Sequence, residues 1–139
     1  MAISTLNKQI MTKSVNSAFS LGRIVRAFRY SIQGLKAAWR HEAAFRQELA
    51  ACGVLLPVAV WLGPTVSDRL WLIASLVLVL LVELLNSAIE ALVDWRDEPP
   101  HPFAGRAKDL GSAAVLLAVV LALLTWLAVL WPHYLAGGW

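Results

Sequence analysis

The stretch LGSAAVLLAVVLALLTWLAVLW, from Leu110 to Trp131, decides the fold, because it contains 22 residues and no charge. At about 1.5 Å per helical residue, it is long enough to cross the roughly 30 Å hydrocarbon core of a bilayer. The whole chain has 139 residues, of which 59% are hydrophobic and 15% charged. A soluble domain of this size could not bury so much apolar surface. The sequence therefore predicts an all-α integral membrane protein.

Two further apolar stretches, Leu49–Leu62 and Leu70–Val82, are too short to cross a bilayer alone. Each becomes long enough if its helix continues into the neighbouring polar residues. We therefore predict three membrane spans, at about residues 44–63, 68–94 and 108–132.

The remaining segments complete the predicted organisation of the chain. Residues 1–20 are polar and contain no acidic residue, and we expect a flexible tail there. Residues 21–134 would form one membrane domain, and residues 135–139 a second tail. A proline-containing loop, Trp95–Lys108, would join the second span to the third.

Residues 21–40 show the pattern of an amphipathic helix. Apolar residues recur at spacings of three and four, while basic residues cluster on an adjacent face. This pattern predicts a surface helix on the inner leaflet. The basic face would attract anionic lipid, a phosphate-bearing substrate, or both. The apolar set is Leu21, Ile24, Val25, Phe28, Ile32, Leu35 and Trp39, and the basic set is Arg26, Arg29, Lys36 and Arg40.

The distribution of lysine and arginine predicts the orientation in the membrane. Eight of the twelve lie in residues 1–46, and three more lie in the loop before the third span. With three spans these eleven share one side, which the positive-inside rule identifies as the cytoplasm. We therefore expect a cytoplasmic N-terminus and a C-terminus on the periplasmic side.

The second span ends in VELLNSAIEALVDW, Val82–Trp95, which is unusually polar for a membrane segment. On a helix, Asn86, Glu90 and Asp94 all lie within about 60° of Glu83. Carboxylates are too costly to face lipid at this depth. A polar seam between helices would explain Asn86, but carboxylates need a cation or a proton. The stripe therefore favours a divalent cation such as magnesium, held by one or two carboxylates and by phosphate oxygens.

Further polar residues lie close to the predicted inner interface. Glu42, Arg46 and Glu48 precede the first span, and GRAKD, Gly105–Asp109, is expected to open the third. A helix N-terminus and adjacent cations favour phosphate. Glu83, partly removed from water, would suit a general base. Together these residues predict metal-assisted phosphoryl transfer. Neither a P-loop nor a glycine-rich kinase loop is present, so the nucleotide site would be of a different type.

Three motifs, in this order, resemble the prokaryotic diacylglycerol kinases over about residues 21–134: GLKAAWRHEAAFRQE (34–48), ELLNSAIEALVD (83–94) and GRAKDLGSAAVL (105–116). The resemblance implies a lipid kinase of the bacterial inner membrane, with a surface helix and three transmembrane helices per chain. It also implies a homotrimer with composite sites between subunits near the cytoplasmic face. The reaction would transfer the γ-phosphoryl group of ATP, with Mg²⁺, to 1,2-diacylglycerol, giving phosphatidic acid. No nucleic-acid partner is implied.

The family's functional roles fall on matching positions of this chain. Glu83 would be the general base, and Glu42 and Glu90 would hold the metal. ATP would be contacted by Arg23, Tyr30, Glu42, Glu90, Lys108 and Asp109, with Tyr30 stacking on adenine. The lipid substrate would be contacted by Arg23, Arg69, Glu83 and Ser112. Asn86 and Asp94 would orient these groups.

Two other functions are compatible with the same pattern. An undecaprenol kinase of the same fold would differ only in its acceptor, and apolar contacts discriminate poorly between such acceptors. A non-enzymatic channel or transporter subunit would use the acidic stripe as an ion path. That second alternative gives no reason for Glu42 or for the GRAKD motif.

Overall fold

The computed structural model describes residues 21–95, 101–135 and 137. The described residues form four helices: α1 (Leu21–His41), α2 (Ala43–Leu62), α3 (Val66–Asp94) and α4 (Pro102–Leu135). By length and composition, α2, α3 and α4 can each cross a membrane. The predicted helical class is thus confirmed for the described residues, and three of these helices are long and apolar enough to be the predicted spans. The predicted tail at residues 1–20 and the loop residues 96–100 lie outside the described part. Of the second predicted tail, 135–139, Leu135 is the last residue of α4, residue 137 is described, and residues 136, 138 and 139 lie outside the described part.

The chain divides into two compact units, Met1–Ala37 and Ala38–Trp139. The described part of the first unit is helical, with the Arg29 guanidinium 5.9 Å from the centre of the Tyr30 ring. The second unit contains α2, α3 and α4, and α3 packs against both of the others. The core of this larger unit therefore forms along α3.

A single residue, Glu42, separates α1 from α2. Its backbone is extended (φ −102°, ψ 115°), and its side chain does not cap the helix that follows. Arg46 in the first turn of α2 donates from Nη1 to the Trp39 carbonyl oxygen at 3.0 Å, which satisfies a free carbonyl at the end of α1. The corner is thus closed by Arg46, and the Glu42 carboxylate is not used for capping.

The link between α2 and α3 is equally short. Thr65 and Asp68 form a capping box, because the Asp68 amide donates to Thr65 Oγ1 at 3.2 Å and the Thr65 amide to Asp68 Oδ2 at 3.1 Å. The Arg69 Nε donates to the Gly63 carbonyl at 2.8 Å. A Cβ at Gly63 would lie 2.5 Å from the Arg69 Cγ, so this tight turn requires glycine.

The pairs that meet across the helices show that both neighbours run antiparallel to α3. Near the start of α4, Lys108 meets Asp94 at the end of α3. Further along α4, Ala118 packs in one core cluster with Val79. On the other side, the buried Cys52 of α2 approaches the Leu76 carbonyl at 3.9 Å, and Gly63 at the end of α2 accepts a hydrogen bond from Arg69 near the start of α3. The α3 C-terminal half therefore lies beside the beginnings of α2 and α4, at the end predicted to be cytoplasmic.

The fourth helix begins at Pro102, earlier than the predicted span start near residue 108. Proline suits the first helical position, where its missing N–H is not needed. The Phe103 amide donates to His101 Nδ1 at 3.3 Å, which caps the new end. The free helix N-terminus is therefore not at Arg106–Lys108. A phosphate contact there would depend on the basic side chains, and it stays a prediction.

Candidate active site

The polar stripe of α3 turns into the protein, as its spacing predicted. Glu83 is only 3% exposed, and Asn86 and Ser87 are each 8% exposed. Glu90 is half-buried, and Asp94 at the helix end is exposed. The stripe therefore grades from a buried carboxylate to a solvent-accessible one along about 16 Å of helix.

Carboxylates from three parts of the chain gather around Glu83. Glu42 at the α1–α2 corner, Glu48 in α2 and Glu90 in α3 each interact electrostatically with it. Like charges this close, and partly out of water, repel one another unless cations or protons compensate them. The cluster is therefore suited to receive positive charge.

The sequence assigned no role to Glu48, although the structure makes it part of the cluster. Its Oε2 atom is buried and has no hydrogen-bond partner in the described ranges. Because α2 begins at Ala43, Glu48 lies more than one turn inside a helix that can span the membrane. A carboxylate is costly in such a helix, so Glu48 could have been identified from the sequence in the same way as Glu83.

Two polar contacts organise the stripe. Asn86 Nδ2 donates to Glu90 Oε1 at 3.2 Å, which orients the Glu90 carboxylate. Lys108 Nζ donates to both carboxylate oxygens of Asp94, at 3.0 and 3.1 Å, and also interacts electrostatically with Glu90 and Glu42. The side chains of this ion pair are 37% and 64% exposed. An exposed pair adds little stability, so an anion could readily take the place of Asp94.

The other predicted site residues lie on α1, α3 and α4. Asp109 and Ser112 are exposed on α4. Arg69 lies near the opposite end of α3, about 21 Å from Glu83 along the helix axis. Arg23 and Tyr30 belong to the smaller unit, and their contacts with ATP stay predictions.

The described residues contain no group of three or more metal-ligating side chains suited to a metal ion. Magnesium, however, is often held by one or two carboxylates and completes its shell with water and substrate phosphates. Glu42 and Glu90 offer two such carboxylates beside Lys108. These residues fit a magnesium ion that binds together with a nucleotide.

The fold and the carboxylate cluster around Glu83 define a helical membrane protein with an acidic site, suited to bind cations, at one end of its helix bundle. A sequence model of the family described as prokaryotic diacylglycerol kinase matches residues 29–130. The diacylglycerol kinase of Escherichia coli (strain K12) is 49% identical over 119 residues, covering 86% of this chain and 98% of that protein.

Two further relatives extend this similarity. The diacylglycerol kinase of Pseudomonas aeruginosa (strain PAO1) is 47% identical over 110 residues, covering 79% of this chain and 89% of that protein. That of Helicobacter pylori (strain 26695) is 38% identical over 113 residues, with coverages of 81% and 88%. The chain belongs to the prokaryotic diacylglycerol kinase family, and it is a kinase.

Proposed function

We propose that the chain transfers the γ-phosphoryl group of ATP to the hydroxyl of 1,2-diacylglycerol, giving phosphatidic acid at the cytoplasmic face of a bacterial inner membrane. The observation that carries this proposal is the buried Glu83 carboxylate, which lies in a cluster of acidic residues beside an accessible lysine. A lipid hydroxyl must be deprotonated where the apolar core meets water, and Glu83 lies between these two environments. The names of the relatives support the choice of lipid.

In the proposed reaction, Glu83 takes the proton of the lipid hydroxyl while the oxygen attacks the γ-phosphorus. The bond from the γ-phosphorus to the bridging oxygen breaks, and ADP leaves with that electron pair. General-base assistance of this kind typically contributes about 10²- to 10⁴-fold to a rate. The low exposure of Glu83 keeps bulk water away from the base, which favours transfer to lipid over hydrolysis.

Glu42 and Glu90 would hold Mg²⁺, and Lys108 would contact the phosphates. A bound magnesium ion neutralises charge on the phosphate oxygens and helps to align them. Lys108 would exchange its ion pair with Asp94 for one with the nucleotide, and Asp94 would orient the lysine before ATP arrives. Asp109, Arg23 and Tyr30 are further proposed contacts of ATP, with Tyr30 stacking on the base.

The proposed lipid contacts divide between the two ends of α3. Arg23 and Ser112 would contact the polar head of the lipid. Arg69 is too far from Glu83 to share the headgroup, so its contact would be with the distal part of an acyl chain, through its own methylene stem.

We further propose that the active form is a homotrimer with composite sites. The exposure of Asp109 and Ser112 on the single chain supports this, since a composite site needs such residues to be accessible to a neighbour. The orientation follows the eleven basic residues on one side, with the N-terminus cytoplasmic and the C-terminus periplasmic.

The test is phosphate transfer by the purified full chain in mixed micelles, with radiolabelled ATP, Mg²⁺ and either 1,2-diacylglycerol or undecaprenol. We expect label in phosphatidic acid and a slower rate on the polyprenol. A rate on undecaprenol that equals or exceeds the rate on diacylglycerol would overturn the proposed substrate. Absence of transfer to both lipids would overturn the proposed reaction.

A further inference from the structure

Helices α3 and α4 approach closely where Asn86 faces Gly111. Gly111 is buried, and a Cβ built on it would overlap the Asn86 Oδ1 atom and lie 3.3 Å from the Asn86 Cγ. Gly105, in the same helix, has open space around the corresponding position, with nothing within 4 Å. A side chain would therefore fit at Gly105, whereas at Gly111 it would collide with Asn86.

The space at Gly111 is filled by the Asn86 side-chain amide. Asn86 is 8% exposed, and its Oδ1 has no hydrogen-bond partner among the residues described. On its other side, the Nδ2 atom donates to Glu90 Oε1 at 3.2 Å. In this arrangement the amide oxygen occupies the room beside Gly111 while the amide nitrogen donates to Glu90.

Glycine in a helix interior is less favourable than alanine, because glycine loses more backbone freedom on folding. An exposed helical glycine can therefore be replaced by alanine with a neutral or favourable effect on stability. At position 111 the same replacement would push against the Asn86 amide, and the buried surroundings leave it little room to move. The absence of a side chain at Gly111 thus leaves the Asn86 amide in its place.

We infer that Gly111 is a positioning residue for phosphoryl transfer: the missing side chain makes room for the Asn86 amide, which in turn orients Glu90. The inference rests on the proposed function, because it takes Glu90 as a ligand of the magnesium–nucleotide complex. It assigns Gly111 no contact with substrate. Its effect would pass through Asn86 alone.

The test compares Gly111→Ala with the matched control Gly105→Ala in the full chain purified in detergent. Initial rates are measured against Mg²⁺ concentration at saturating ATP, and unfolding temperatures are measured on the same samples. Loss of a group that orients a metal ligand typically weakens metal affinity by about 10- to 100-fold. We expect Gly111→Ala to raise the apparent Mg²⁺ requirement by about that factor and to lower the unfolding temperature. Gly105→Ala should not raise the apparent Mg²⁺ requirement and should not lower the unfolding temperature.

A second pair of variants separates this role from general packing. Alanine at 86 has no amide for a new methyl group to meet, so adding Gly111→Ala to Asn86→Ala should not lower the unfolding temperature further. An equal fall in both backgrounds would overturn the inference, as would a Gly111→Ala enzyme whose Mg²⁺ titration overlays the parent. If the parent transfers no phosphate to lipid, the proposed function fails and so does the catalytic part of the inference. The unfolding temperatures still report whether residues 86 and 111 are coupled.

Discussion

Replacing Glu83 by glutamine tests the assignment of the general base most directly. Glutamine has nearly the same shape, so the buried site should keep its packing while losing one acid. A general base contributes about 10²- to 10⁴-fold, so the activation barrier should rise by about 3 to 5 kcal/mol. We expect kcat to fall by about 10²- to 10⁴-fold.

The structure also predicts the sign of the change in stability. Glu83 is 3% exposed and interacts with the like charges of Glu42, Glu48 and Glu90. Removing one charge from such a group relieves repulsion and desolvation, so the unfolding temperature should stay equal or rise. A variant that is slower and yet no less stable would separate a catalytic role from a structural one.

The assay is transfer of labelled phosphate into lipid at saturating ATP, Mg²⁺ and diacylglycerol, with thermal unfolding measured in the same detergent. The matched control is Leu85→Met, because Leu85 lies two residues along α3 but is 65% exposed, and this exchange conserves volume. Its rate should remain near that of the parent. A Glu83→Gln enzyme within threefold of the parent rate would refute the assignment of the base, and a parallel loss of rate and stability would refute the electrostatic reasoning.

Four further substitutions test the metal ligands, the phosphate contact and the cap of α3. Glu42→Gln and Glu90→Gln should each raise the Mg²⁺ concentration needed for half-maximal rate, because each removes one negative ligand oxygen; titrations that overlay the parent would remove them as metal ligands. Lys108→Met should raise the KM for ATP while the KM for lipid changes little, since it removes the cation proposed to meet phosphate; equal effects on both would contradict that role. Thr65→Ala removes the capping box and should cost about 1 kcal/mol of stability, measured by unfolding, with kcat unchanged because Thr65 lies at the end of α3 remote from Glu83.

Periodicity within one helix was a sound guide to the site. The rotation of about 100° per residue puts Glu83 and Asn86 on one face whatever the rest of the chain does. The cost of exposing that face to lipid then requires it to turn inward, and both residues are buried. The family motifs added the kinase class, which the comparisons confirm.

Relations between helices were not accessible in the same way. The pairing of Lys108 with Asp94 and the inclusion of Glu48 in the acidic cluster depend on how far α2 and α4 slide along α3. The beginning of α4 at Pro102 was also missed, because the prolines around residue 100 were interpreted as loop rather than as the first position of a helix.

The sequence by itself determined that the chain is helical with three segments apolar enough to span a membrane, that one of them carries an inward-facing acidic stripe, and which family the chain belongs to. Each of these follows from local hydropathy, helical rotation or motif identity. Only the tertiary structure decided that Gly111 meets Asn86 and that four carboxylates share one neighbourhood. Such contacts depend on the register and close approach of helices distant in sequence, which packing of the whole unit sets and no local pattern encodes.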